Sequence, residues 1–283
     1  MTAGQLLELG SDRALRRRLF DPASIAHPAK LHLGLAQWLI DRYTAPGDII
    51  ADGMGGIGSA LIAALQQRHV ILREIEPCWL SLAQKNADRI SQQGGMFAGQ
   101  IAVSAGDARE PWGVTCDHIL MSPPYGCDMP YHGGDIQAYI AQRTARLKDA
   151  PHGKRWAQLL AAAAQQRGAV GFELFDYGKQ PGQIGRFTGA RYYAAMAAIY
   201  RQAHQALRPG GLLILVLKDH IRDGQRVPTA DQTAALCATL GFTLVQRHQR
   251  HIAQPSLWQR RRKEQGLPIV EEEDVLVFER TRP

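Results

Sequence analysis

Short runs of β-branched residues alternate with longer stretches of helical period along most of this chain. A chain so patterned buries its apolar residues best in a parallel sheet with helices packed on both faces. Candidate strands are residues 48–52, 70–74, 101–104, 117–121, 212–217, 242–247 and 275–279, each bounded by turn residues. Helical spacing marks 29–42, 57–67, 77–90, 191–207 and 231–240, the fourth stopped by Arg208-Pro209-Gly210-Gly211. The rhythm predicts one α/β domain over 1–283, with a mostly parallel seven-stranded sheet and helices on both faces. Residues 126–189 interrupt it, reading as an insertion after strand four with an Ala/Gln-rich helix over 156–167. Loops of that length inside a domain commonly carry function or order on binding.

Composition narrows the class. With 45% apolar and 21% charged residues the chain is too apolar for a disordered one. Apolar runs such as 212–217 fall far short of the ~20 residues of a membrane span, and the N-terminus has arginines and acids where a secretory signal has an apolar core. Four cysteines, Cys78, Cys116, Cys127 and Cys237, form no Cys-x-x-Cys pair, so no disulfide framework, zinc knuckle or other metal site is expected, and a reducing cytoplasm suits the chain. Lys and Arg outnumber Asp and Glu by 33 to 26, a net +7 that points to a polyanionic partner. The excess is clustered: Arg13, Arg16, Arg17 and Arg18 near the start, then Arg247, Arg250, Arg260, Arg261, Arg262 and Lys263 with no acid among them. The second cluster, beside Trp258, is the candidate nucleic-acid contact; a merely solvated face is the competing reading.

The first strand runs into Asp52-Gly53-Met54-Gly55-Gly56-Ile57-Gly58-Ser59 and then a helix, a glycine turn at which a ligand can approach bare backbone. Glu74, with Ile75 after it, ends the second strand where an acid can grip ribose hydroxyls, so a nucleoside-containing cofactor is expected. A nicotinamide dinucleotide needs room for its pyrophosphate at the helix N-terminus, and Asp52 is a poor neighbour for that anion. S-adenosylmethionine instead carries an ammonium that suits Asp52, and Asp107, followed by Ala108, can accept from an adenine amino group.

Strand four ends in Ser122-Pro123-Pro124-Tyr125, where two prolines immobilise the backbone at the sheet edge that binds ligands. An exocyclic amine on a base is a poor nucleophile because its lone pair is delocalised into the ring. The Ser122 hydroxyl and the Pro123 carbonyl can accept its two hydrogens and draw the nitrogen towards a tetrahedral geometry. Tyr125 then serves as the platform on which an extruded base stacks.

In these motifs the sequence resembles the amino-group DNA methyltransferases that form N4-methylcytosine or N6-methyladenine. Ser122-Pro123-Pro124-Tyr125 resembles their catalytic motif, and residues 52–59 resemble Asp-Pro-Phe-x-Gly-x-Gly-Thr, with Gly53 and Met54 departing from Pro and Phe. His27-Pro28-Ala29-Lys30, Glu74-Ile75-Glu76-Pro77, Leu207-Arg208-Pro209-Gly210-Gly211, and Gly182-Gln183-Ile184-Gly185 followed by Tyr192-Tyr193 are similar to further family segments. The resemblance implies a Rossmann-like methyltransferase fold and S-adenosylmethionine as cofactor. It places Lys30 near the methionine carboxylate and Asp52, Gly53, Met54, Gly55, Gly56, Glu74, Ile75, Asp107 and Ala108 around the donor. Duplex DNA with a flipped base is the implied partner, in a restriction-modification setting, with oligomeric state open and a homodimer among the options. Serine at the first catalytic position points to cytosine N4, since adenine enzymes more often have Asp or Asn there. No helix-turn-helix or zinc finger is recognisable, so target reading falls to the insertion or the C-terminal region. The alternatives are adenine N6 in DNA, guanine N2 in RNA, a non-catalytic nucleic-acid-binding relative, and, furthest, a nicotinamide oxidoreductase.

Overall fold

The structure is a computed structural model that describes residues 4–27, 29–125, 178, 180–185, 187–222, 224–252 and 262–281. In chain order the elements are β1 (Leu6–Glu8), α1 (Arg13–Leu19), α2 (Leu33–Tyr43), β2 (Ile49–Asp52), β3 (His69–Glu74), α3 (Pro77–Gly94), β4 (Ile101–Ala105) and β5 (Cys116–Met121). They continue with α4 (Gly189–Ala206), β6 (Leu207–Leu217), β7 (His220–Arg222), β8 (Gln225–Val227), α5 (Thr229–Thr239), β9 (Phe242–His251) and β10 (Glu272–Arg280). Eight strands form one sheet in the order β1-β9-β10-β6-β5-β2-β3-β4, and β7 and β8 make a separate hairpin. Within the large sheet β10 runs antiparallel to its neighbours β6 and β9, and the other pairings are parallel.

Period-two alternation sorts the strands between two apolar layers. Ile50, Leu120, Ile214, Val216, Val275 and Val277 pack with α2 and α3 on one face. Ala51, Ile119, Met121, Leu213, Leu215, Leu217, Leu276 and Phe278 pack with α4 and α5 on the other. The chain order reverses between β2 and β5, which leaves a crevice at the carboxyl ends of those two strands, the ligand position of a doubly wound sheet.

All seven expected strands are present, and the eighth, β1, pairs parallel with β9 through Leu6 and Gln249. Three residues are too few for an alternation to be read. The helix expected over 57–67 is a 3-10 helix over Ser59–Gln66, entered through left-handed Gly58. The one expected from residue 29 starts at Leu33, where the His32 ring accepts from the Leu35 amide at 3.2 Å. The helix expected over 156–167 and most of the insertion expected over 126–189 lie outside the described residues; of the latter, residues 178, 180–185 and 187–189 are described. No helix among the described residues is long and apolar enough to cross a membrane.

Candidate functional site

Strands β2 and β5 deliver their carboxyl ends to one cleft, lined among others by Lys30, Asp52, Gly53, Met54, Gly55, Gly56, Glu74, Ile75, Asp107, Ala108, Ser122 and Pro124. All ten sequence-predicted donor residues therefore share a wall with two of the four predicted catalytic ones.

The acids in the cleft are not alike. Asp52 is buried and accepts the Met54 amide at 3.0 Å; among the described residues no cation forms an ion pair with it. Burial, and then the nearby Glu74 charge, push its carboxyl up to about 7. Glu74 is also buried, its two oxygens accepting the Gly56 amide at 2.7 Å and the Glu76 amide at 2.8 Å. Burial raises Glu74 too, the two amides working against it. The residue is thus a brace for the glycine loop, which is further tied by the Gly55 amide to the Arg73 carbonyl at 2.9 Å. Asp107 differs: burial acts to raise it, but the Arg109 guanidinium at 2.6 Å and the Arg109 amide outweigh that and hold it below its ordinary range.

Gly53, where the resembled family has Pro, has a tertiary explanation. A Cβ there would stand 2.3 Å from the indole of Trp112, whose Nε1 donates to the Ala108 carbonyl at 2.9 Å. The indole fills the room that the proline would take. Also in the cleft wall, the buried His27 ring meets Trp79 edge-on, with centroids 4.6 Å apart. Burial, helped by the Lys30 charge, drops His27 to about 3, so it is neutral at any ordinary pH. Lys30, whose ammonium donates to the His27 carbonyl, is itself lowered to about 8 by burial and by Arg16.

At the end of β5, Ser122 is partly exposed in the cleft, Pro123 and Pro124 are buried, and Tyr125 is partly exposed. The Pro124 carbonyl is held from behind by the Tyr192 hydroxyl, a buried hydrogen bond of 2.6 Å from α4. Cys116 and Cys237 are buried, and burial pushes the Cys116 thiol up to about 12, so neither offers a thiolate. Cys127 lies outside the described residues.

The basic candidates separate from the cleft and from one another. Arg247 bridges Asp274 at 2.9 Å and Asp231 at 2.6 Å, and Arg250 lies buried against Glu273 at 2.7 Å. Both guanidiniums are paired with carboxylates of β10 and α5. Arg262 donates to the Pro268 carbonyl at 3.3 Å and Lys263 pairs with Glu271 at 2.6 Å while staying exposed; Arg260 and Arg261 lie outside the described residues. From the first cluster, Arg16 is buried, bound to Asp12 at 2.7 Å and the Leu31 carbonyl at 2.8 Å.

Motif reading passes over Trp112 and Trp79, and it gives no role to Gly182, Gln183 and Ile184, which line the cleft as well. Gln183 is legible only as part of a family-like tetrapeptide, and Trp112 has no sequence signal at all.

No protein-family model matches the chain, and no curated protein matches it in sequence. Solved structures do share its fold. A methyltransferase from Pyrococcus furiosus aligns with a TM-score of 0.50 at 11% identity, over 96% of this chain and 95% of that one. A SAM-dependent methyltransferase from Methanosarcina mazei gives 0.48 at 11% identity over 87% and 98%. TrmN from Thermus thermophilus gives 0.46 at 16% identity over 94% of this chain and 53% of its own, so the chain spans about half of that protein's length. The fold is the Rossmann-like one of methyltransferases.

Proposed function

We propose that this chain is an S-adenosylmethionine-dependent methyltransferase acting on the exocyclic amino group of a nucleic-acid base, with cytosine N4 of DNA as the target. The observation that carries the reading is that Ser122 and Pro124 line the same cleft as Asp52, Glu74 and Asp107.

The cleft fits the donor. A buried carboxylate with no ion-pair partner among the described residues is costly unless a cation completes it, and the methionine ammonium is such a cation beside Asp52. Glu74, oriented by two amides, keeps lone pairs free for ribose hydroxyls, and Asp107, steadied by Arg109, keeps one for an adenine amino group. Lys30 lines the cleft as well and can meet the methionine carboxylate. When bound, the donor supplies an electrophilic methyl carbon on a sulfonium, which leaves as a neutral thioether. The chain does the rest. The Ser122 hydroxyl and the Pro123 carbonyl accept the two amine hydrogens, Tyr125 stacks the base, and Tyr192 keeps the turn from yielding. Neither acceptor is a base, so the proton departs to water after transfer.

The test is to incubate the full chain with methyl-labelled S-adenosylmethionine and, separately, unmethylated genomic DNA and total RNA, then to hydrolyse the labelled polymer. N4-methylcytosine in DNA is the expected product; N6-methyladenine, or N2-methylguanine from the RNA arm, would move the target. A folded Ser122→Ala chain should transfer about 10²–10³ more slowly, as when one positioned dipole is removed. Wild-type transfer by that variant, or no label in either polymer, would overturn the reading.

A further inference from the structure

The return segment of the insertion meets the donor cleft through Glu76. This residue stands at the N-cap of α3, where short side chains that accept from the helix's own amides are preferred. Glu76 makes no such cap. Its carboxylate, buried at 4% exposure, turns away from the helix and accepts the Gln180 amide at 2.9 Å and the Gln183 side-chain amide at 3.2 Å, both on Oε1. Gly178 lies so close that a Cβ there would fall 1.9 Å from the Glu76 carboxyl carbon, and its φ of +123° suits glycine alone. A Cβ on Gly182 would fall 2.3 Å from Ile75 and 2.4 Å from an Asp107 oxygen. The segment is thus pressed onto the donor residues themselves.

The strap is continuous with the rest of the site. The Glu76 amide donates to Glu74, and Glu74 accepts from Gly56 of the glycine loop. On the other side, Gln183 accepts the Gly185 amide at 2.9 Å, Phe187 donates to the Ile184 carbonyl, and the chain enters α4, whose Tyr192 holds the catalytic turn. Between them, residues 180–185 and the first turn of α4 therefore reach from the donor residues to the Ser122–Tyr125 turn.

We infer that Glu76 is a positioning residue that latches the 180–185 strap over the donor cleft, so that donor enters and spent donor leaves when the latch opens. The inference rests on the donor reading above. Glu76 holds the strap by hydrogen bonds from neutral donors, and a single carboxylate oxygen accepts both of them. Removing that oxygen frees the strap while Glu74 still braces the loop.

Glu76→Asp tests this best. The shorter acid loses reach to Gln180 and Gln183 but is a preferred helix cap, so α3 should hold or gain stability. Dissociation of S-adenosylhomocysteine from the full chain, followed by surface plasmon resonance, should quicken about tenfold, with association quickened too, so that Kd moves less than either rate. Backbone amides of 180–185 should lose hydrogen-exchange protection in the ligand-free variant. Gly178→Ala, which crowds the strap off an unaltered Glu76, should do the same. Wild-type binding kinetics and wild-type protection in both folded variants would overturn the latch while leaving the donor reading intact. Failure of the wild-type chain to bind S-adenosylhomocysteine in calorimetry would overturn the donor reading and the latch together.

Discussion

Two regions of this molecule withdraw acids from water, and they do it in opposite ways. On the β9–β10 face, the buried Asp274 and the nearly buried Glu273 meet Arg247 and Arg250 at hydrogen-bond distance, each charge cancelled by a neighbour across an antiparallel pair. In the cleft, Asp52 and Glu74 are buried with backbone amides for company and no ion-pair partner among the described residues. A compensated buried charge explains itself as structure. An uncompensated one marks a place where the fold gives up stability that a bound cation can restore.

The comparison breaks most visibly if the arginine face proves functional. Arg250 places two guanidinium nitrogens on one Glu273 oxygen, at 3.0 and 2.7 Å, so Arg250→Ala strands the Glu273 carboxylate. The substitution should cost about 3 kcal/mol of stability in urea denaturation, as when one partner of a buried pair is removed, with nucleic-acid affinity per folded molecule unchanged. Unaltered stability together with weakened, salt-sensitive nucleic-acid binding would return Arg250 to the phosphate contacts.

Asp52→Asn sharpens the other side. The substitution should weaken S-adenosylhomocysteine binding at pH 8 by about 1.5–3 kcal/mol in calorimetry, the loss of a charge-assisted hydrogen bond. It should also raise the ligand-free melting temperature at that pH. Burial lifts the Asp52 carboxyl from 3.8 to about 7, so between those values the folded chain holds a proton that the unfolded chain has released. That contribution to stability is full below the lower value and is lost as pH rises through the upper one. The advantage of Asp52→Asn should accordingly shrink as pH falls, while wild-type donor affinity weakens below about pH 7 as the carboxylate takes up its proton. Affinity that stays flat from about pH 5.5 to 8 would show that no cation pairs with Asp52.

The smallest expected effect belongs to the remaining basic run. Neutralising Arg260, Arg261 and Arg262 should lower the slope of log affinity against log salt by about 0.9 for each phosphate left without its cation on duplex DNA, or about 0.7 on single strands. An unchanged slope would make that run a solvated face, as the Lys263–Glu271 pair beside it already is in part.

How much of the site is legible in the sequence depends on how far apart the interacting residues lie. Asp52 and Ser122 can be read because each sits at a strand end within a turn whose prolines and glycines are written locally. The acid partners of Arg247 and Arg250 escape the sequence because a basic cluster is counted along the chain, whereas Asp274 and Glu273 lie 27 and 23 residues further on and arrive across the β9–β10 register. Trp112 is more remote still in sequence from the Gly53 it covers, and Gln183 is 107 positions from Glu76.

The amino-acid sequence by itself determined the α/β layering, the two strand-end turns and the chemistry they can present, because hydrophobic period and turn residues act on neighbours within a few positions. Only the tertiary structure decided which charges are cancelled and which are left facing a cleft, and that Gly182, Gln183 and Ile184 join its lining. Charge compensation and cleft lining depend on residues brought together by sheet register and helix packing, distances that no local pattern contains.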